Sequence, residues 1–71
     1  MTTAERCRAN GWTVGTVLGG GKRRGGEELL VRITAIGERR ALGVRIDCPD
    51  EPETMWWFDA PDWHVVSQKV V

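Results

Sequence analysis

A mainly β fold, a small barrel of five short strands preceded by one short helix, is what this sequence predicts, on three observations. Short runs rich in β-branched, aliphatic and aromatic residues recur between residues 12 and 66, separated by turns that carry Gly or Pro. The stretch Trp56-Trp57-Phe58-Asp59-Ala60-Pro61-Asp62-Trp63-His64-Val65-Val66 sets an aromatic strand, a Pro-marked turn and an apolar strand side by side, as at the closing corner of a barrel. Four tryptophans in 71 residues then supply what so short a chain lacks, since each ring can bury roughly 150–250 Å².

The elements follow in order. Thr2-Thr3-Ala4-Glu5 has the capping-box spacing, and Asn10-Gly11 is a good helix stop, which predicts a helix of about two turns between them. A helix this short does not persist alone, so it must dock, with Cys7 as its inward anchor. Trp12-Thr13-Val14-Gly15-Thr16-Val17-Leu18 reads as the first strand, with Gly15 marking a bulge or bend. Residues 19–26, five glycines with Lys22, Arg23 and Arg24, read as an exposed loop.

Leu29–Ile36 is the strongest strand, with Val31, Ile33 and Ala35 alternating against Leu30, Arg32, Thr34 and Ile36. Gly37-Glu38-Arg39-Arg40 forms a turn into a strand over 41–47, on which Leu42, Val44 and Ile46 share one face. Cys48-Pro49-Asp50-Glu51-Pro52-Glu53 is an acidic loop whose two prolines cannot donate to a ladder. The fourth strand runs over 54–59, placing Trp56 and Phe58 on one face and Met55, Trp57 and Asp59 on the other. A tight turn at 60–63 leads to a fifth strand at 64–66. Five strands with a long loop after the first and a tight turn before the last match the layout of SH3-like barrels; an OB-type barrel usually runs longer. One domain spans 1–71: helix and cap at 1–11, barrel at 12–66, tail at 67–71.

Composition narrows the function classes. Ten Lys/Arg balance ten Asp/Glu, so no bulk field draws the chain to nucleic acid or to a membrane surface. The balance is uneven along the chain: nine Lys/Arg face four acids in residues 1–45, and Lys69 alone faces six acids in 46–71. Salt-bridge pairing across the barrel is the plain expectation for such a split. Cys7 and Cys48 make no disulfide framework, and no apolar run approaches a membrane span, so a soluble cytoplasmic protein with reduced thiols is expected.

Catalytic and metal chemistry find little footing. A metal site needs three or four suitably spaced ligands, and one His with two isolated Cys does not offer them. A nucleophilic site would need Cys7 or Cys48 beside His64, with Asp62 to orient it, in a barrel with little room for a pocket. The Gly-rich loop fails as a phosphate loop, because Arg23 follows Gly21-Lys22 where Ser or Thr is required. The expectation is a non-enzymatic binding module with no cofactor.

The pattern Gly11-Trp12-x-Val14-Gly15-x-x-Leu18-x-Gly20, then Arg32-Ile33-Thr34-Ala35-Ile36-Gly37-Glu38, then Asp62-Trp63-His64-Val65-Val66, resembles a group of small bacteriophage-encoded proteins of unassigned function. The likeness covers residues 11–66 and carries no catalytic residues. It implies a host protein as partner, an inhibitory or counter-defence role, and the host cytoplasm as the location. The Gly-rich loop at 19–26 and the acidic loop at 48–53 depart from the pattern. From the residues themselves, Lys22, Arg23, Arg24, Trp57 and Trp63 are the candidate partner contacts, because Trp and Arg are enriched at interface hot spots. Asp50, Glu51 and Glu53 are a secondary acidic contact. A host protein is the first partner class, nucleic acid held by the basic loop is the alternative, and self-association through an edge strand is a variant of the first.

Overall fold

The structure, a computed structural model, describes residues 2–21, 28–48, 50–58 and 62–67. Helix α1 (Thr3–Ala9) starts where the capping box places it. The Thr2 hydroxyl accepts the Glu5 backbone N–H at 3.2 Å, and the Glu5 carboxylate accepts the Thr2 backbone N–H at 3.3 Å and its hydroxyl at 3.0 Å. The Thr2 hydroxyl, then its backbone N–H, hold the Glu5 carboxyl below its usual 4.5. The stabilisation from that ionised carboxylate is therefore complete above 4.5 and is lost as pH falls through the lowered value. Asn10 caps the other end, and Gly11, at φ +72°, takes the left-handed conformation that ends the helix.

The helix docks as its length demands. The Ala4 N–H donates to the Arg39 carbonyl at 3.2 Å, and the Arg8 guanidinium donates to the carbonyls of Gly37 and Glu38. Ala4 and Cys7 are fully buried beneath it. Thr2→Ala removes the cap and is expected to lower stability by about 1 kcal/mol. Urea titration followed by far-UV circular dichroism measures this, and an unchanged midpoint would mean that docking alone holds the helix.

The first strand begins later than the sequence suggests. Thr13 to Gly15 form a turn, with the Thr13 N–H on the Thr16 hydroxyl at 3.0 Å and the Thr16 N–H on the Thr13 carbonyl at 3.0 Å. Local Ser/Thr hydrogen bonding competes with a ladder, and here it prevails over β-propensity. Strand β1 (Val17–Gly20) then takes in Gly19 and Gly20, which the sequence assigns to the loop. A Cβ at Gly20 would lie 2.9 Å from the Asp62 carbonyl oxygen and from Cα and Cε3 of Trp63, so only glycine lets that ring lie against the strand.

The other strands are β2 (Leu29–Ile36), β3 (Ala41–Arg45), β4 (Thr54–Trp56) and β5 (His64–Ser67). All neighbours are antiparallel, in the order β4-β3-β2-β1-β5. Among the described residues the sheet is open, with β4 and β5 as its edges, and hydrogen bonding does not close the expected barrel. β3 and β4 are also shorter than read, ending at Arg45 and Trp56. The ladder slips once in β2, between Ile33 and Ala35, and once in β1, between Val17 and Leu18.

Rings carried at the two edges meet inside. Phe58, two residues past Trp56 of β4, meets Trp63, just before β5, edge-on at 4.9 Å; Trp56 meets Trp63 at 6.3 Å and lies parallel to Phe58 at 6.5 Å. The core joins Phe58 and Trp63 to Cys7, Trp12, Leu18, Val31, Ile33 and Ala41. On β3 the buried residues are Ala41 and Gly43, while Leu42 and Val44 are half-buried. Small residues face inward there because the Trp56 ring occupies the space, its indole N–H donating to the Gly43 carbonyl at 3.1 Å.

Candidate functional site

Alternation along the fourth strand sorts its aromatics into two roles. Trp56 and Phe58 turn into the core, which leaves Trp57 on the other side, where it is 63% exposed. Met55, two residues earlier, pairs across the ladder with Leu42, both half-buried. An apolar strip thus begins at an exposed indole beside an open sheet edge. At the opposite edge, Val65 and Val66 of β5 are 42% and 51% exposed.

The remaining candidates fare differently. Trp63 is buried in the core, seated on Gly20 and Gly21, and offers no surface contact; its ring fills the space between the two sheet edges. Lys22, Arg23 and Arg24 lie outside the described residues. Asp50, Glu51 and Glu53 are exposed, but Glu51 has an internal task. The Arg45 guanidinium grips both carboxylate oxygens of Asp47, at 2.8 and 3.2 Å, and reaches Glu51 at 3.2 Å. With its side chain only 10% exposed, Arg45 pins the acidic loop to the end of β3. The Asp47 hydrogen bonds raise its already high pKa further. Asp50 and Glu53 remain as outward acids.

Beside this clamp an open cleft of about 390 Å³ is lined by Arg32, Val44, Arg45, Ile46 and Glu51. Val44 and Arg32 are cross-strand partners, and Ile46 is 38% exposed. The cleft mixes apolar walls with the charged groups of Arg32, Arg45 and Glu51. His64 instead meets Glu28 at 3.3 Å through Nε2, and its Nδ1 lies 3.2 Å from the Asp62 carbonyl oxygen. The Asp62 carboxylate accepts the Gly21 N–H at 2.8 Å. Cys7 is fully buried beneath α1, where desolvation raises its thiol pKa and keeps it protonated. Among the described residues no group of three or more His, Cys, Asp or Glu could hold a metal ion.

The expected pairing of the two charge blocks is sparse among the described residues. Among the described residues Arg45 is the cation of residues 1–45 shown in an ion pair with acids of the second block, and His64 meets Glu28, a contact that is an ion pair only with the imidazole protonated. The residues missed by sequence reasoning are Arg8, Arg39 and Arg40, which α1 docking gathers at one end of the sheet. The docking of the helix and the turn at 37–40 were each legible; that one lands on the other follows only from the fold.

A family model described as a domain of unknown function (DUF7241) matches residues 1–68. No curated protein and no solved structure matches the chain.

Proposed function

The chain belongs to the DUF7241 family, and on that premise we propose that it is a small non-enzymatic binding module acting by stoichiometric contact with a partner protein. Trp57 carries this reading. An indole left 63% exposed while the other three are buried or partly buried, and set beside a sheet edge that no described strand pairs, is the anchor type that dominates binding energy at interfaces. Met55 and Leu42 extend its apolar surface, and Asp50 and Glu53 supply outward charge on the preceding loop. The open edge of β4 adds backbone donors and acceptors that an extended partner segment can pair.

The strand order and the meeting of rings from both edges support an SH3-like small barrel as the finer description of the fold. The resemblance to small bacteriophage proteins makes a host protein the partner, its inhibition the outcome and the host cytoplasm the place.

Capture of partners from a bacterial host lysate with tagged protein, with and without nuclease, tests the reading. One partner is expected to survive nuclease treatment and to be lost at least tenfold on Trp57→Ala, a truncation worth about 2 kcal/mol at a hot spot. Because the indole is exposed, the variant should keep its stability within about 0.5 kcal/mol. Capture unaffected by Trp57→Ala would refute the site; recovery abolished by nuclease would transfer the reading to nucleic acid.

A further inference from the structure

The docking of α1 concentrates positive charge at one end of the sheet. Arg8 is held by the Gly37 and Glu38 carbonyls, which fix its guanidinium without neutralising it. Arg39 and Arg40 are the next residues of that turn; both are exposed and neither is in an ion pair among the described residues. The two acids nearby in sequence are Glu5, whose carboxylate is held at the helix cap by Thr2 and keeps its charge near Arg8, and Glu38, so three arginines outnumber two acids at this end.

The opposite end of β3 has the other sign. The strand leaves the arginine turn at Ala41 and ends at Arg45, where Asp47 and Glu51 close on it, with Asp50 and Glu53 exposed on the same loop. At roughly 3.3 Å per residue the two poles stand about 15–20 Å apart. That is about two Debye lengths at physiological salt, so the acidic pole does not cancel the basic one.

We propose that the pole formed by Arg8, Arg39 and Arg40 docks a short acidic segment of the partner protein. Guanidinium groups bind carboxylates through paired N–H donors, and one of the three is already fixed in place. The length of the anion is set by the fold. A duplex with one charge per about 1.7 Å, laid along the sheet, runs onto the acidic loop, whereas a segment of a few residues ends before it. The proposal rests on the protein-binding reading only for the existence of a protein partner, and it uses a different surface from Trp57.

Fluorescence anisotropy of a labelled tetraglutamate peptide, roughly 13 Å long when extended, titrated with the full chain tests it directly. Binding is expected at low salt and should weaken steeply toward physiological salt, as screening requires. The Arg39→Gln/Arg40→Gln double variant should bind at least tenfold more weakly at an unchanged melting temperature. Asp50→Asn/Glu53→Gln should bind as well as the parent chain or better. Equal affinity for the peptide in the arginine variant would overturn the proposal. So would tighter binding of a labelled 20-base-pair duplex to the same arginines, which would make the pole a phosphate site. A concentration-dependent dimer in sedimentation equilibrium that vanishes in the arginine variant would overturn it in favour of a second copy of this chain. Partner capture that depends on Trp57 but not on Arg39 and Arg40 would sink this inference and leave the binding reading standing. Partner capture that depends on Arg39 and Arg40 but not on Trp57 would do the reverse, supporting this inference and refuting the Trp57 site.

Discussion

Phe58→Ala is expected to be the most damaging single truncation in the core. The ring is fully buried, the largest side chain to be so among the described residues, and it meets Trp63 edge-on and Trp56 in parallel. Removing it deletes buried apolar surface and leaves a cavity between rings that cannot collapse without losing their mutual geometry. Such replacements cost about 3–5 kcal/mol. At roughly 0.05–0.15 kcal/mol per residue, a chain of 71 residues has about 4–11 kcal/mol in total, so the variant approaches or crosses the limit of folding. Thermal denaturation followed by near-UV circular dichroism should show the midpoint falling by at least about 12 °C, or no cooperative transition at all. A fall of less than about 5 °C would show that the aromatic cluster does not hold the sheet edges together.

Gly43→Ala is the second large effect, and its cause is the opposite one. A Cβ at this position would lie 2.7 Å from Cγ1 of Val31, 2.9 Å from the Arg32 carbonyl oxygen and 3.2 Å from Cδ1 of Trp56. One of these neighbours, the Arg32 carbonyl, is fixed by the ladder itself, since Gly43 sits opposite Ile33 between β2 and β4. The added methyl therefore displaces the Trp56 ring or spreads the strands, and overpacking of this kind costs about 1–3 kcal/mol. The indole hydrogen bond to the Gly43 carbonyl is strained with it. Gly37→Ala is the control, where the nearest contact is 3.5 Å from the Arg40 carbonyl oxygen. Urea unfolding followed by tryptophan emission should separate the two by at least about 1 kcal/mol. Equal midpoints would mean that β3 shifts freely to make room.

The two predictions concern features that the sequence showed to different degrees. Phe58 and Trp56 on one face, with Trp57 on the other, followed from period-2 alternation alone, and the structure keeps that division. The helix and both its caps were equally legible, because capping is a local hydrogen-bond pattern written in Thr2, Glu5, Asn10 and Gly11. Gly43 was not legible. A glycine between Leu42 and Val44 looks like an interruption of an apolar face, yet it belongs to the buried face, and the bulky neighbours point half outward. Its reason lies across the ladders, in Val31 and the Arg32 carbonyl of β2 and, 13 positions away, in the ring of Trp56. Gly19 and Gly20 were hidden the same way: composition assigns them to a loop, and only Trp63 and Val66 lying against them explain why they belong to a strand. In the candidate site, Trp57 was found by alternation, while the arginine pole needed a tertiary contact that no spacing rule encodes. Glu51 looked like a free acid until Arg45 reached it.

The pairing of β1 with β5 sets Leu18 opposite Val65, near the two ends of the chain, whereas β2 and β3 are joined by the short turn at 37–40. Closing a long stretch of chain costs more entropy than closing a short one, and nothing offsets that cost until the ends have met. The β2–β3 hairpin therefore organises first, and β5 arrives last, against a β1 whose glycines have kept a place for Trp63. Until then Trp56 and Phe58 have no third ring to meet. The core does not exist until Trp63 is in place, so a truncation between Phe58 and Trp63 leaves Trp56 and Phe58 without their third ring, a target for proteolysis rather than a smaller version of the fold.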